Sequence, residues 1–436
     1  MRFARSRVAL SIALCSLTLS TGVRADDAWS HDELQEVVEA LASTIEKTYI
    51  EADRALEIAT GLRSHLAAGD YDSASSRDEL AGALTRELKL HDLHFAVGWS
   101  APGDAPLTGG HSAEEERRWA EYARLQNSGF RRVEVLPGNV GYLDLRMFDG
   151  TPRAHEVAAS AMSFLATSDA VILDLRQNGG GEPAMVQRLL SYFFGPEPVH
   201  YNSLVWRDGR EDRFSTLDEV VGRRMPNVPL YVLTSARTGS AAEGFAYAAQ
   251  ALDRAVVVGE RSAGAANPGE IVPIARGFYA FISTGKAVNA VTGGNWEGTG
   301  VVPDVATPAT TAFDVAYARA LREILAAEPG EPALTGARWA LERAEARSHP
   351  VALASSVLDD YPGTYGDRRI RRRGERLTYQ RGRRSELEMV PLGEDRFLVE
   401  TKEGFRLTFE RDEQGRILRL VDGWDDGHVE VNRRES

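Results

Sequence analysis

Apolar positions recur at helical spacing near the N-terminus. Leu34, Val37, Val38, Leu41 and Ile45 share one face of a 3.6-residue repeat, and Ser30 with Glu33 forms a capping-box pattern just ahead of them. A helix is expected to start after Ser30. A second is expected through Leu56, Leu62 and Leu66, and a third from Ser75 or Ser76, carrying Leu80, Leu84 and Leu88. From about residue 130 the period changes. Residues 133–136 and 140–145 are strand-like and flank the turn Pro137-Gly138-Asn139. Short apolar runs at 170–175, 230–233 and 255–258 then alternate with helical patterns at 185–194, 240–252 and 313–326. This alternation predicts an α/β unit with parallel strands. After residue 350, short alternating stretches such as Leu377-Thr378-Tyr379 and Arg406-Leu407-Thr408-Phe409 are set apart by Gly, Asp and Asn. They predict a small antiparallel β domain.

At 436 residues the chain is too long for one ordinary domain. The pattern divides it into a signal peptide at 1–25, a helical bundle at 26–95, an α/β core at 96–328, a helical linker at 329–349 and a C-terminal β domain at 350–436. Arg2, Arg5 and Arg7, the apolar run at 8–19 and Val23-Arg24-Ala25 make the first segment an export signal. The run is shorter than the roughly 20 apolar residues that a bilayer span needs. No other long apolar segment follows, so the mature chain is expected to lack an integral membrane segment and to be periplasmic or secreted. The single cysteine, Cys15, lies in that leader. Cleavage would leave no disulfide, thiol nucleophile or cysteine-bound zinc. The formal charge of −13 becomes −17 once the leader's four arginines are gone. That balance does not suit a nucleic-acid backbone. The arginine-rich stretch from Arg368 to Arg384 reads as a solvated β face, because no aromatic platform accompanies it.

Two segments carry candidate chemistry. Thr238-Gly239-Ser240-Ala241-Ala242-Glu243 follows an apolar strand and opens a helix. A serine there is either an ordinary N-cap or a nucleophile held at the positive end of a helix dipole, where amides stabilise an oxyanion. Asn178-Gly179-Gly180-Gly181 is either a tight turn or the other half of an oxyanion hole. A serine nucleophile needs a base and an acidic orienter. His94, in Asp92-Leu93-His94, and Glu297, in Trp296-Glu297-Gly298, are available, but spacing alone does not select them.

The segments Gly141-Tyr142-Leu143, Asp174-Leu175-Arg176-Gln177-Asn178-Gly179-Gly180-Gly181, Thr238-Gly239-Ser240-Ala241-Ala242-Glu243, Val258-Gly259-Glu260-Arg261 and Gly298-Thr299-Gly300-Val301-Val302-Pro303-Asp304 resemble, in order and spacing, the tail-specific (C-terminal processing) serine peptidases, the tricorn protease core and interphotoreceptor retinoid-binding protein. The likeness covers about residues 30 to 325. It implies a crotonase-like ββα spiral core, with Ser240 as nucleophile and Ala241 with Gly180 or Gly181 as oxyanion donors. Tail-specific members use a lysine about 25 residues after the serine, where this chain has Ala265. The tricorn-like branch uses a histidine from an Asp-x-His segment and a later glutamate, which here are His94 and Glu297. Leu93 stands where that branch has a connecting serine. The stretch from His94 to Gly138 is too short for the PDZ domain of tail-specific members. The resemblance thus implies an exported serine peptidase acting on a peptide or protein, with no cofactor and no metal. A non-proteolytic protein for apolar ligands and a serine esterase are the alternatives on the same fold.

Overall fold

The computed structural model describes residues 30–101, 113–327, 330 and 333–435. The leader and Cys15 lie outside them. Among the described residues no helix is long and apolar enough to cross a membrane.

Helix α1 (His31–Thr48) starts as its capping box dictates. Ser30 Oγ accepts from the Glu33 amide at 3.2 Å, and Glu33 Oε2 accepts from the Ser30 amide at 2.8 Å. Helix α2 (Ala52–Ala68) turns Ala55, Ile58, Ala59 and Leu62 inward and leaves Leu56 exposed. Two alanines thus share its buried face with Ile58 and Leu62. Ser76 caps α3 (Arg77–Leu88). The three helices share one core with Phe95, with Val97 of strand β1 (Ala96–Trp99) and with Phe278, Ala280 and Ile282. That core fixes the segment just before β1, which holds His94.

After α4 (Ala113–Leu125) come β2 (Phe130–Leu136), β3 (Val140–Leu145), α5 (Pro152–Leu165), β4 (Ala170–Asp174), α6 (Pro183–Ser191), β5 (His200–Trp206), β6 (Glu211–Ser215), β7 (Leu230–Thr234), α7 (Ala241–Ala251), β8 (Val256–Gly259), β9 (Gly269–Pro273), β10 (Phe278–Ser283), β11 (Gly285–Asn289) and β12 (Val305–Ala306). A six-stranded sheet has the order β12-β8-β7-β4-β3-β2. Strands β7, β8 and β12 run parallel, with Val258 opposite both Leu233 and Val305. Strands β4 and β7 are buried at every position, as suits strands covered on both faces. Beside this sheet lie two antiparallel ones, β1-β10-β9 and β11-β5-β6. The sequence pattern did not single out their strands, because they alternate weakly and because β1 with β10 and β5 with β11 pair across long stretches of chain, although β9–β10 and β5–β6 are local hairpins.

The chain splits into two compact units, one of residues 1–133, 143–166 and 173–306, the other of 134–142, 167–172 and 307–436. The second contains α8 (Ala312–Ala326), α9 (Ala333–Ser348), α10 (Ser355–Leu358) and an antiparallel meander of eight strands, β13 (Gly363–Tyr365), β14 (Arg368–Arg373), β15 (Arg376–Arg381), β16 (Leu387–Gly393), β17 (Arg396–Val399), β18 (Phe405–Arg411), β19 (Ile417–Trp424) and β20 (Val429–Arg433). Tyr361, Tyr365, Phe397 and Phe409 form its aromatic core. Arg368, Arg371, Arg373, Arg376 and Arg381 each pair with a carboxylate. Arg368 is buried and donates through Nε to the fully buried Asp422 at 2.8 Å. Arg368→Ala would strand that carboxylate, so a destabilisation of about 3–5 kcal/mol is expected in denaturant unfolding of the meander. A loss below 1 kcal/mol would show that the pair is dispensable.

Candidate active site

Strand β7 delivers the chain into a constrained turn. Ser240 has φ 51° and ψ −121°, a conformation that L-residues adopt only when neighbours enforce it. Those neighbours are identifiable. Thr238 Oγ1 donates to the Leu175 carbonyl at 2.8 Å, Ser235 Oγ to the Arg176 carbonyl at 2.6 Å, and the Gly239 amide to the Asn178 carbonyl at 3.0 Å. The turn is thus fastened to the end of β4. The Ser240 amide donates to Glu243 Oε2 at 2.8 Å. Glu243 is fully buried and also accepts from Ser262 Oγ, the Gly264 amide and the Ala265 amide at 2.5, 2.6 and 2.9 Å. Burial pushes its carboxyl up, and these four donors oppose the shift. In Glu243→Gln an amide NH₂ must face two of the donors. A melting-temperature drop corresponding to about 1–3 kcal/mol is therefore expected, together with slower turnover as the Ser240 turn relaxes. Unchanged stability and turnover would remove Glu243 from this role.

The glycine run lies against that turn. Gly180 and Gly181 have φ of 117° and 138°. A Cβ on Gly180 would lie 2.7 Å from Ser240 Cβ, and one on Gly181 would lie 2.2 Å from the Phe148 carbonyl oxygen. Only glycine fits either place. The Gly180 amide is committed to Asn178 Oδ1 at 2.9 Å, and Asn178 is itself buried and held to the Leu145 carbonyl. Among the described residues, no hydrogen bond uses the amide of Gly181 or of Ala241, the first residue of α7. An apolar pocket opens on Ser240 and is lined by Val186, Tyr201, Leu204, Phe214, Pro268 and Trp296.

His94 sits in a second group. Asp92 Oδ1 accepts from the His94 amide at 2.8 Å, a local turn that accounts for the Asp-x-His spacing. Asp92 is buried, and its Oδ2 accepts from the Tyr49 hydroxyl at 3.3 Å. His94 is 7% exposed and packs near Phe281. Its Nδ1 is 3.5 Å from Asp92 Oδ1, and neither ring nitrogen has a hydrogen-bond partner. Glu297 Oε2 accepts from the amides of Ala266 and Asn267 at 2.7 and 2.9 Å. Burial, and then the neighbouring Asp92 carboxylate, push the Glu297 carboxyl up to about 7. Donor atoms of Asp92, His94 and Glu297 all lie within 4.8 Å of one another, so among the described residues these three could share a cation.

With this geometry in hand, sequence profiles place the chain. That of peptidase family S41 matches residues 139–307, and that of the N-terminal domain of peptidase S41 in eukaryotic IRBP matches residues 29–118. The chain belongs to peptidase family S41. Over 125 residues it is 30% identical to a carboxyl-terminal-processing protease of Picosynechococcus sp., an alignment covering 29% of each chain. Among solved structures it is similar to the photosystem II D1 C-terminal processing protease, at 15% identity and TM-score 0.41 over 64% of this chain and 94% of that one. It is also similar to a lipoprotein from Streptococcus agalactiae, at 14% identity and TM-score 0.45 over 70% and 100%.

Within the S41 match, Ser240, Ala241, Gly180 and Gly181 come together. His94, from the N-terminal match, comes together with Glu297. No hydrogen bond joins Ser240 Oγ to His94. The two groups are bridged by residues 263–267. The Ala263 amide donates to the Thr238 carbonyl at 2.9 Å, that of Ala265 to Glu243, and those of Ala266 and Asn267 to Glu297. Ala265, the position that the resemblance to tail-specific members assigns to a lysine, serves this bridge through its backbone. Leu93 is 44% exposed, so it does not connect His94 to Glu297. Asp92 is the residue that sequence reasoning left without a role. The signal that could have found it is the same Asp-x-His spacing.

Proposed function

We infer that this S41 chain is an exported serine peptidase with a crotonase-like spiral core. Ser240 is the nucleophile, His94 the general base and Glu297 the carboxylate that orients the base. The observation that carries this reading is the positive-φ turn at Ser240, pressed against the glycine run and facing an apolar pocket. Substrate would lay an apolar side chain in the pocket and set its carbonyl between Ser240 Oγ and the amides of Ala241 and Gly181. His94 takes the Oγ proton as the C–O bond forms, and a hydrogen bond of this kind commonly closes only in the substrate complex. The amides hold the tetrahedral oxyanion, each contributing about 3–4 kcal/mol. The imidazolium then protonates the leaving amine, and water releases the acyl group from Ser240. Glu297 and Asp92 balance the charge on His94 while it carries the proton.

The apolar pocket favours, as a second reading, hydrolysis of an ester by the same residues. Rapid mixing with an activated peptide ester separates catalysis from simple binding. A burst of one product equivalent per chain, followed by slower turnover, is expected from an acyl-enzyme. A linear time course at saturating substrate, or no turnover of any peptide or ester, would count against the proposal.

A further inference from the structure

We propose that Asp92, His94 and Glu297 form a site for a zinc-like divalent cation, and that its occupation reversibly switches the peptidase off. The site is composed of one imidazole nitrogen and two carboxylate oxygens, drawn from the segment before β1 and from the loop after β11. Their donor atoms lie within 4.8 Å of one another. The imidazole is the decisive group. Its side chain is 2% exposed, yet both nitrogens lack a hydrogen-bond partner, which is costly for a buried polar group. A cation answers that need at one nitrogen and also neutralises the buried Asp92 and half-buried Glu297 carboxylates.

The surroundings resemble a metal site's outer shell. Asp92 is held by the Tyr49 hydroxyl and the His94 amide, and Glu297 Oε2 by two amides. Such partners fix ligand orientation. Glu297 Oε1 accepts no hydrogen bond among the described residues. A mixed nitrogen and carboxylate set of three suits zinc, with a fourth position for water. Magnesium and calcium require six or more ligands, mostly oxygen. Tetrahedral Zn–N and Zn–O bonds of about 2.0–2.2 Å bring donors to about 3.5 Å apart, so the side chains close by about 1 Å. All three residues belong to one compact unit, so no rearrangement between units is involved.

The inhibitory consequence rests on His94 being the base for Ser240, whereas the binding itself does not. A cation on the ring nitrogen takes the lone pair that would accept the Ser240 proton. It also draws Glu297 away from orienting the ring.

The test uses the full mature chain with Zn²⁺ and Co²⁺ as probes. Co²⁺ should give a visible d–d absorption that one equivalent of Zn²⁺ abolishes, in wild type and in Ser240→Ala alike. Competition against a chromophoric chelator should show Asp92→Asn and Glu297→Gln binding Zn²⁺ more weakly by over about 100-fold, beyond what losing an outer-shell partner costs. Wild-type turnover should fall over the same free Zn²⁺ range and recover with EDTA. An absent Co²⁺ band, or an affinity unchanged in both carboxylate variants, would overturn the site. If EDTA abolished turnover and Zn²⁺ restored it, the inhibitory role would be overturned. Turnover persisting in Ser240→Ala beside intact zinc binding would sink the serine mechanism and leave the site standing.

Discussion

Ser240→Ala should lower kcat by about 10⁵–10⁶-fold, the scale seen when a hydrolase loses its serine nucleophile. The stability cost should be small, within about 0.5 kcal/mol. Both expectations come from the same geometry. Among the described residues Ser240 Oγ is hydrogen-bonded to no other side chain, its one local contact being the capping box with the Glu243 amide, so its removal orphans no buried side chain. The positive φ of the turn is enforced by Glu243, Thr238 and Gly239, and alanine meets the same strain there as serine does. The measurement is turnover of a peptide substrate alongside thermal unfolding. A variant that keeps more than about a tenth of wild-type turnover while melting normally would take Ser240 out of the chemistry.

His94→Ala should cost a comparable factor, about 10⁴–10⁶ in kcat, because a serine hydroxyl without its base is a poor nucleophile. Its structural effects oppose one another. Deleting a buried ring leaves a cavity beside Phe281. It also removes two buried nitrogens that have no partner, whose desolvation the fold otherwise carries. Net destabilisation should stay below about 2 kcal/mol, and the folded variant should remain inactive. Burst kinetics discriminate further. Without the base the burst itself should vanish, whereas a residue needed only for folding would lower the burst amplitude in proportion to the unfolded fraction. Near-normal turnover in a folded His94→Ala would transfer the base role elsewhere.

Local signals were the legible ones. The Ser30–Glu33 capping box, the α1 stripe, the buried runs of β4 and β7 and the strand-to-helix turn at Ser240 each depend on residues a few positions apart. Each of these elements appears in the structure where the sequence puts it. The antiparallel sheets did not announce themselves. Strand β1 finds β10, and β5 finds β11, across long stretches of chain, and no short-range pattern encodes such pairing. The glycine run was visible as a ligand-facing turn, but which amide stays uncommitted was not. That depends on Asn178 turning back to claim Gly180. Asp92 was likewise hidden, since its approach to Glu297 arises only when β10 and the loop after β11 fold beside the N-terminal helices.

The central claim is tested most directly by treating the purified protein with a fluorophosphonate and mapping the adduct by mass spectrometry. One adduct per chain, located on Ser240, lost in Ser240→Ala and slowed strongly in His94→Ala, is the predicted result. A folded wild-type chain that hydrolyses peptides while remaining unlabelled, or labelled on another residue, would contradict it.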